Sequence, residues 1–384
     1  MKLACLQNNL KHGLFVVGHI AGKNINLPIL NNILIKTADG KIQLITTNLE
    51  MGIVSAVRGK IEKEGSFTVD SKIISDYIGL LPNKKIDIEK KENNLIINCE
   101  NYKTKIKGQP ADDFPLIPEV DKKSFYSAGI GEFKDALSKT VFAVSTSESR
   151  IELSGVLFSF ENNLLTLAAT DSYRLAERKI NVKNNNGEQG KKIIVPAKTL
   201  QELIRILSSA QEIESPDQKG EEIKFYISEN QILFSCGPTE LVSRLIEGQY
   251  PDYEQIIPNN TKTKAIFNRA ELTRAIKAAS LFSKTGINDV SLDFPAGKNS
   301  VIISAISGQA GENVTELAVD VSGDDNSIVI NYRYLLDGLG SIGSELVSME
   351  LVDGNTPCIL RPADPVKTGD KKQDYLYIIM PIKQ

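Results

Sequence analysis

Apolar residues in this chain follow two alternating rhythms, a strand-like one and a helical one, and the pair of rhythms repeats. The triplets Phe67-Thr68-Val69, Ile193-Ile194-Val195 and Ile328-Val329-Ile330 read as strands. Three residues past each triplet stands a base: Lys72, Lys198 or Arg333. Five, nine and twelve past it come Ile74, Ile78 and Leu81, then Leu200, Ile204 and Leu207, then Leu335, Leu339 and Ile342. At about 100° per residue these steps keep the apolar side chains on one stripe of a helix and turn the base to the opposite face. Earlier helices are predicted from Leu6, Leu10, Leu14 and Val17, from Phe133, Leu137, Val141 and Val144, and from Leu272, Ile276, Ala279 and Ser283. Strands follow at Ile33-Leu34-Ile35, Val156-Leu157-Phe158 and Val290-Ser291-Leu292, each feeding a turn and a second strand that ends near Thr47, Thr170 and Ser304.

The triplets recur roughly every 130 residues, the length of a domain rather than of a short solenoid repeat. Aromatic-proline corners at Phe114-Pro115 and Tyr250-Pro251 end strand pairing and suggest domains 1–120, 121–257 and 258–384. Polar loops at Asn184-Asn185-Asn186-Gly187, Ser215–Gly220 and Thr368–Lys372 read as surface insertions. Six helices with one apolar stripe each, set among many short strands, make an α+β fold of three similar domains. Each domain packs two helices on antiparallel sheets. Their other faces carry Lys72, Lys134, Lys139, Lys198, Arg205, Arg274, Lys277 and Arg333, interspersed with Asp76, Glu132, Glu202 and Asp337. That bias suits loose phosphate contact rather than tight binding.

Near the middle, Leu164 to Thr170 alternates like a strand, and Asp171-Ser172 can cap a tight turn with side-chain oxygens. The three residues after the turn, Tyr173, Arg174 and Leu175, are the mix that anchors partner contacts when it lies exposed beside a pocket; the plainer reading is an ordinary hairpin with Leu175 in the core.

Composition adds exclusions. The chain has 384 residues, 41% hydrophobic and 24% charged, as expected of a folded multidomain protein. It shows no apolar run of membrane-spanning length and no signal-peptide core, so a cytoplasmic location is expected. Cys5, Cys99, Cys236 and Cys358 stand singly, and buried free thiols are expected rather than a zinc site or disulfides. His12 and His19, the only histidines, have no acid near them in sequence before Asp39. A catalytic triad or metal site is therefore not expected. Gly338-Leu339-Gly340-Ser341-Ile342-Gly343 spells G-x-G-x-x-G, but it follows a helical stretch beginning at Tyr332 and reads as a glycine-rich helix end. Net charge is −3, so binding to an anion needs segregated charge. Residues 1–38 carry lysines without an acid, and 311–325 carries Glu312, Glu316, Asp320, Asp324 and Asp325 without a base.

Taken together with the threefold repeat, five stretches make the sequence resemble a known family. They are Asn26-Leu27-Pro28-Ile29-Leu30, Gln109-Pro110-Ala111-Asp112-Asp113-Phe114-Pro115, Ala169-Thr170-Asp171-Ser172-Tyr173-Arg174-Leu175-Ala176, Tyr250-Pro251-Asp252-Tyr253 and Ile378-Ile379-Met380-Pro381. The family is the bacterial sliding clamp, the β subunit of the DNA polymerase III holoenzyme. The resemblance implies a non-enzymatic processivity factor without a cofactor or metal: a head-to-tail homodimeric ring around duplex DNA, bound without regard to sequence. It also implies that polymerases, the clamp loader and repair proteins dock a peptide into a pocket. Here that pocket would be Leu153, Thr170, Tyr173, Arg174, Leu175, Pro251, Ile256, Ile378, Met380, Pro381 and Ile382. Tyr173 stands where the family usually has histidine, Gln255 and Asn24 where arginine is expected, and the chain ends in Lys383-Gln384.

The expected DNA-contact set is completed by Lys23 and Asn24 in the first loop and by Arg150. At the dimer interface the strand through Lys103, Thr104, Lys105, Ile106 and Lys107 projects three lysines from one face, opposite in charge to Glu312 and Glu316. Leu281, with Phe282 beside it, lies opposite its helix's apolar stripe and is expected to anchor the contact. Leu376 to about Pro381 is expected to be a strand, leaving Met380 and Ile382 to wall a groove. Two other readings are a protein-only scaffold and a nucleotide-dependent enzyme built on the glycine stretch. Bases recurring at one helical offset favour the clamp over the scaffold.

Overall fold

The computed structural model describes residues 1–22, 26–147, 149–211, 222–363 and 375–383. Lys23 and Asn24, and the loops Ser215–Gly220 and Thr368–Lys372, lie outside the described residues. Six α-helices occur among the described residues: α1 (Gln7–Gly18), α2 (Ser71–Leu80), α3 (Ile130–Ser138), α4 (Ala197–Gln211), α5 (Arg269–Ser280) and α6 (Tyr332–Ser341). Each begins where a strand ends. Asp70, Asn268 and Asn331 are the last residues of their strands, and their side chains accept hydrogen bonds from the backbone N–H groups of Ile73, of Ala270 and Glu271, and of Arg333. Such a cap satisfies donors that the first helical turn leaves open and contributes about 1 kcal/mol.

The chain forms two compact units. The first comprises Met1–Gly131, Lys183–Glu188 and Lys198–Leu245, and holds one 14-stranded sheet. Within it the strand Met51–Val57 pairs antiparallel with Thr239–Arg244, Ser55 opposite Thr239 and Ile53 opposite Leu241. At the other flank, Tyr102–Gln109 pairs along its length with Asn94–Cys99 but meets Gly65–Asp70 only at Gly108 and Gln109. Much of one edge of that strand has no ladder partner among the described residues. The connector after it is pinned on the sheet by buried Phe114 and Val120 and by Ile117, which fills the notch at Gly52.

The second unit comprises Glu132–Val182, Gln189–Ala197 and Ile246–Gln384, and holds a nine-stranded and a four-stranded sheet. In the larger, Arg174–Asn181 pairs antiparallel with Tyr375–Ile379, Arg174 opposite Ile379 and Ala176 opposite Tyr377. In the smaller, Gly311–Ala318 is an edge strand, paired among the described residues only with Ser300–Ser307.

Several expectations change in detail. The helix from Phe133 ends at Ser138, and Val141–Ala143 forms a separate 3₁₀ turn, so Val144 lies outside the helix. The second strand of the last third runs on from Ser304 to Ser307. Lys183–Asn185 is a short strand rather than a loose insertion, fixed by the Tyr126 hydroxyl, which donates to the Glu188 carbonyl. The terminal strand stops at Ile379, two residues before Pro381. All four cysteines are free and buried, as expected. No helix among the described residues is long and apolar enough to cross a membrane.

Gly338 and Gly340 lie inside α6, where the dinucleotide pattern had no strand-to-helix turn to build on. A Cβ at Gly338 would overlap the ring of buried Tyr377. Close helix-to-sheet packing thus accounts for the first glycine. Gly338→Ala gains about 1 kcal/mol of helix propensity but overpacks against Tyr377, which costs about 1–3 kcal/mol. A net loss of stability is expected in chemical denaturation; a raised midpoint would show that the ring yields.

Candidate functional site

The central hairpin is fixed by its own polar side chains. Asp171 Oδ1 accepts from the N–H groups of Tyr173 at 2.9 Å and Arg174 at 3.0 Å, an Asx turn that leaves Ser172 with φ at 79°. The Thr170 hydroxyl donates to the Arg174 carbonyl at 2.6 Å and accepts from the Ser172 N–H at 3.1 Å. Ser172 contributes differently, taking a hydrogen bond from Arg150 Nη1 at 3.1 Å.

Strand alternation then sorts the following residues onto two faces. Leu175 points into a buried cluster with Leu157, Ile194, Tyr253, Ile359, Leu376 and Ile378. Arg174 and Arg178 point the other way. Arg174 is held from several directions: Nε donates to Asp171 at 3.0 Å, Nη1 to Asp337 at 2.5 Å and Nη2 to the Phe142 carbonyl at 3.0 Å, with the Tyr334 ring 4.8 Å away. Only 12% of its side chain is exposed. The Tyr377 hydroxyl, kept a neutral donor by burial that raises its pKa, closes this cage on the Tyr334 carbonyl at 2.9 Å.

The expected pocket residues therefore play unequal parts. Leu153, Leu175 and Ile378 are core, and Thr170 is buried by its bond to the turn. They lie beneath the surface instead of opening onto it. Arg174 is partly buried, its guanidinium braced within the fold. Tyr173 is 62% exposed and stacks on Tyr334 at 6.4 Å between centroids. Ile256 is exposed, and Pro251, Met380, Pro381 and Ile382 are partly so. Two backbone bonds tie the tail down: Met380 N–H to the Tyr173 carbonyl at 2.8 Å, and Ile382 N–H to the Val329 carbonyl at 2.7 Å. Sequence reasoning missed Tyr334 and the exposed Ile151, which lie outside the stretches that carry the resemblance.

Two of the bases expected at DNA are engaged within the fold. Lys139 is 13% exposed and pairs with Asp135 at 2.9 Å, a carboxylate that buried Arg178 also approaches at 4.0 Å. Arg205 donates to the carbonyls of Phe15 at 3.0 Å and Val16 at 2.6 Å and to Glu202 at 2.5 Å. Its cationic plane lies 4.8 Å from the Phe15 ring. Glu202 also meets His19 Nδ1 at 2.6 Å, so the acid absent near the histidine in sequence arrives from α4. Exposed side chains remain at Lys72, Arg150, Lys198, Arg274, Lys277 and Arg333, while Lys134 is partly buried. Lys72 pairs with Asp76 one turn on.

On the strand Tyr102–Gln109 of the first unit, Lys103, Lys105 and Lys107 are exposed while Ile106 is buried and Thr104 partly so. Exposed Ile73, Leu80 and Tyr102 belong to α2 and this strand. On the second unit's edge strand Glu312, Val314 and Glu316 face outward; Leu281 is 74% exposed and Phe282 half-buried. Ile73 and Leu80 could have been found as a second apolar pair, seven residues apart, outside the Ile74–Ile78 stripe.

Models of the DNA polymerase III beta subunit match the chain in three consecutive parts: the N-terminal domain at residues 1–118, the central domain at 130–252 and the C-terminal domain at 254–383. The beta sliding clamp of Staphylococcus epidermidis is 31% identical over 348 residues, covering 88% of this chain and 89% of the relative. This chain belongs to the sliding clamp family of DNA polymerase III beta subunits. The Synechocystis beta sliding clamp is 27% identical over 402 residues, covering 100% of this chain and 99% of that one. Among solved structures, a putative beta subunit from Eubacterium rectale superposes with TM-score 0.89 at 29% identity. A Pseudomonas aeruginosa sliding clamp bound to griselimycin superposes with TM-score 0.90 at 26% identity; both matches cover the whole of each chain. For this clamp, membership of the family sets aside the protein-only scaffold.

The Asx turn sets the local geometry, so Asp171→Ala should leave the turn N–H groups and Arg174 Nε without their acceptor. A loss of about 1–3 kcal/mol is expected in denaturant titration, with hydrogen exchange faster at Tyr173 and Arg174. Unchanged exchange at these two amides would mean that the turn holds without the carboxylate.

Proposed function

We propose that this clamp is the processivity factor of its replicative polymerase, acting without catalysis in the cytoplasm as a homodimeric head-to-tail ring that encircles duplex DNA and slides along it. Each protomer would contribute three domains, 1–120, 121–257 and 258–384. The observation that carries the ring is a pair of unused strand edges. Within the chain, the strand that follows one repeat's first hairpin pairs with a later repeat's last strand, at Met51–Val57 with Thr239–Arg244 and at Arg174–Asn181 with Tyr375–Ile379. The corresponding strands left over are Gly311–Ala318 and Tyr102–Gln109. Joined between two copies, they satisfy the ladder groups that an exposed edge leaves open. They also bring lysines at 103, 105 and 107 against Glu312 and Glu316, and Leu281, Phe282, Ile306 and Val314 against Ile73, Leu80 and Tyr102.

Exposed bases on the helices, Lys72, Lys198, Arg274 and Arg333 with Lys134, and Arg150 near the hairpin, suit many weak phosphate contacts, none reading sequence. Topology then holds the ring while the contacts stay loose enough to slide. Lys23 and Asn24 join this set as the first loop. The polymerase, the clamp loader and repair proteins would each dock a short peptide over Tyr173, Pro251, Ile256, Met380, Pro381 and Ile382, above the floor of Leu153, Leu175 and Ile378. A tethered polymerase gains a high effective concentration at the primer end without a strong protein–DNA bond.

The ring is tested by retention on nicked circular DNA and loss once that DNA is linearised; equal retention on both would overturn encirclement. Replacing Lys72, Lys198 and Arg333 together by alanine should reduce the slope of log affinity against log salt by up to about 3, with unfolding unchanged. An unaltered slope would remove these residues from the DNA surface. Deleting residues 380 to 384 should leave the dimer on DNA but abolish binding of a polymerase-derived peptide in fluorescence anisotropy. Full peptide affinity after the deletion would move the docking site elsewhere.

A further inference from the structure

The first helices of the three repeats align at their starts. Buried residues fall three, six, seven and ten positions on: Leu10, Gly13, Leu14 and Val17; Phe133, Ala136, Leu137 and Thr140; Leu272, Ala275, Ile276 and Ala279. Twelve residues on, just past each helix, stand His19, Phe142 and Leu281. The second helices, α2, α4 and α6, align likewise, and five residues past each start stands an acid: Asp76, Glu202 or Asp337.

Both junctions inside the chain use these positions in the same way. At the first, Glu202 receives His19 from the end of α1 and also Arg205, which lies against Phe15. At the second, Asp337 receives Arg174, which also holds the Phe142 carbonyl. Each acid thus meets one strongly basic side chain beside the end of a first helix. Asp76 and Leu281 have no such arrangement in the described residues. The Asp76 side chain is 63% exposed and bonds only Lys72 of its own helix turn, an exposed pair that exchanges at little cost.

The position of Arg205 on α4 corresponds to Gly79 on α2, where a Cβ would meet nothing within 4 Å. The position of Phe15 on α1 corresponds to Lys277 on α5, which is exposed and in the last turn. The third junction therefore has no cation at the Arg205 position of the acid's own helix and has one at the Phe15 position of the first helix, Lys277.

We propose that Lys277 of one protomer pairs with the partner's Asp76 across the ring-closing junction, with Leu281 seated beside it. This rests on the head-to-tail ring proposed above and takes Lys277 from the DNA-facing set into the interface. The pair is exposed in the separated protomer, so its loss should act on association and not on folding.

A double-mutant cycle on dimer dissociation, followed by sedimentation on dilution, tests it. Lys277→Ala and Asp76→Ala should each weaken the dimer about twofold to fivefold, and the double variant should be no weaker than either. Exchanging the charges, Lys277→Asp with Asp76→Lys, should restore most of the affinity, and Lys72→Ala should not weaken the dimer. A wild-type protein that stays monomeric would overturn the ring and this pair with it. A wild-type dimer in which the two single effects multiply would overturn the pair alone.

Discussion

Strand pairing between repeats is the constraint on which the rest of this molecule depends. A sheet edge exposes a row of backbone donors and acceptors, and at two places these repeats cover an edge with a strand from another repeat rather than with a local hairpin. Met51–Val57 against Thr239–Arg244 makes one continuous sheet in the first unit, and Arg174–Asn181 against Tyr375–Ile379 makes another in the second. The helices, the turn at Asp171 and the tail after Ile379 take their places from those ladders. The proposed head-to-tail ring would follow the same rule with the two strands that the chain leaves unmatched.

Arginine does different work at each depth of this fold. Arg174 and Arg205 are planar donors held by carboxylates, backbone carbonyls and aromatic faces, a geometry lysine could not reproduce. Arg274 and Arg333 stand exposed and offer charge alone. A basic residue on the polar side of a helix therefore faces the solvent only where no neighbouring element supplies it with acceptors. That is why the basic stripe is narrower than its residues suggest.

The surface proposed for docking shows the same layering. Its floor is a hydrophobic cluster that would exist for packing alone, and its upper layer consists of side chains the fold cannot bury. Tyr173 is lifted clear by a turn that Asp171 and Thr170 hold from within, and Met380 follows a strand that ends because its last ladder partner, Arg174, opens the hairpin. A methionine is the side chain that repacks most readily around different shapes, while the stacked Tyr173 and Tyr334 form a stiffer wall.

The sequence by itself determined the threefold repeat, the helix faces and the α+β class, because each rests on local periodicity: Ile74 and Ile78, or Leu335 and Leu339, lie on one stripe whatever surrounds them. It also determined the turn at Asp171, where the capping oxygen and the amides it binds lie within three residues. Which bases stay free was decided only by the tertiary structure. Lys139 and Arg178 share Asp135, Arg205 reaches α1 carbonyls 190 and 189 residues away, and His19 finds its acid at Glu202, 183 residues on. Periodicity gives the direction of a side chain relative to its own element; its electrostatic partner depends on which element packs opposite, and that information is not local.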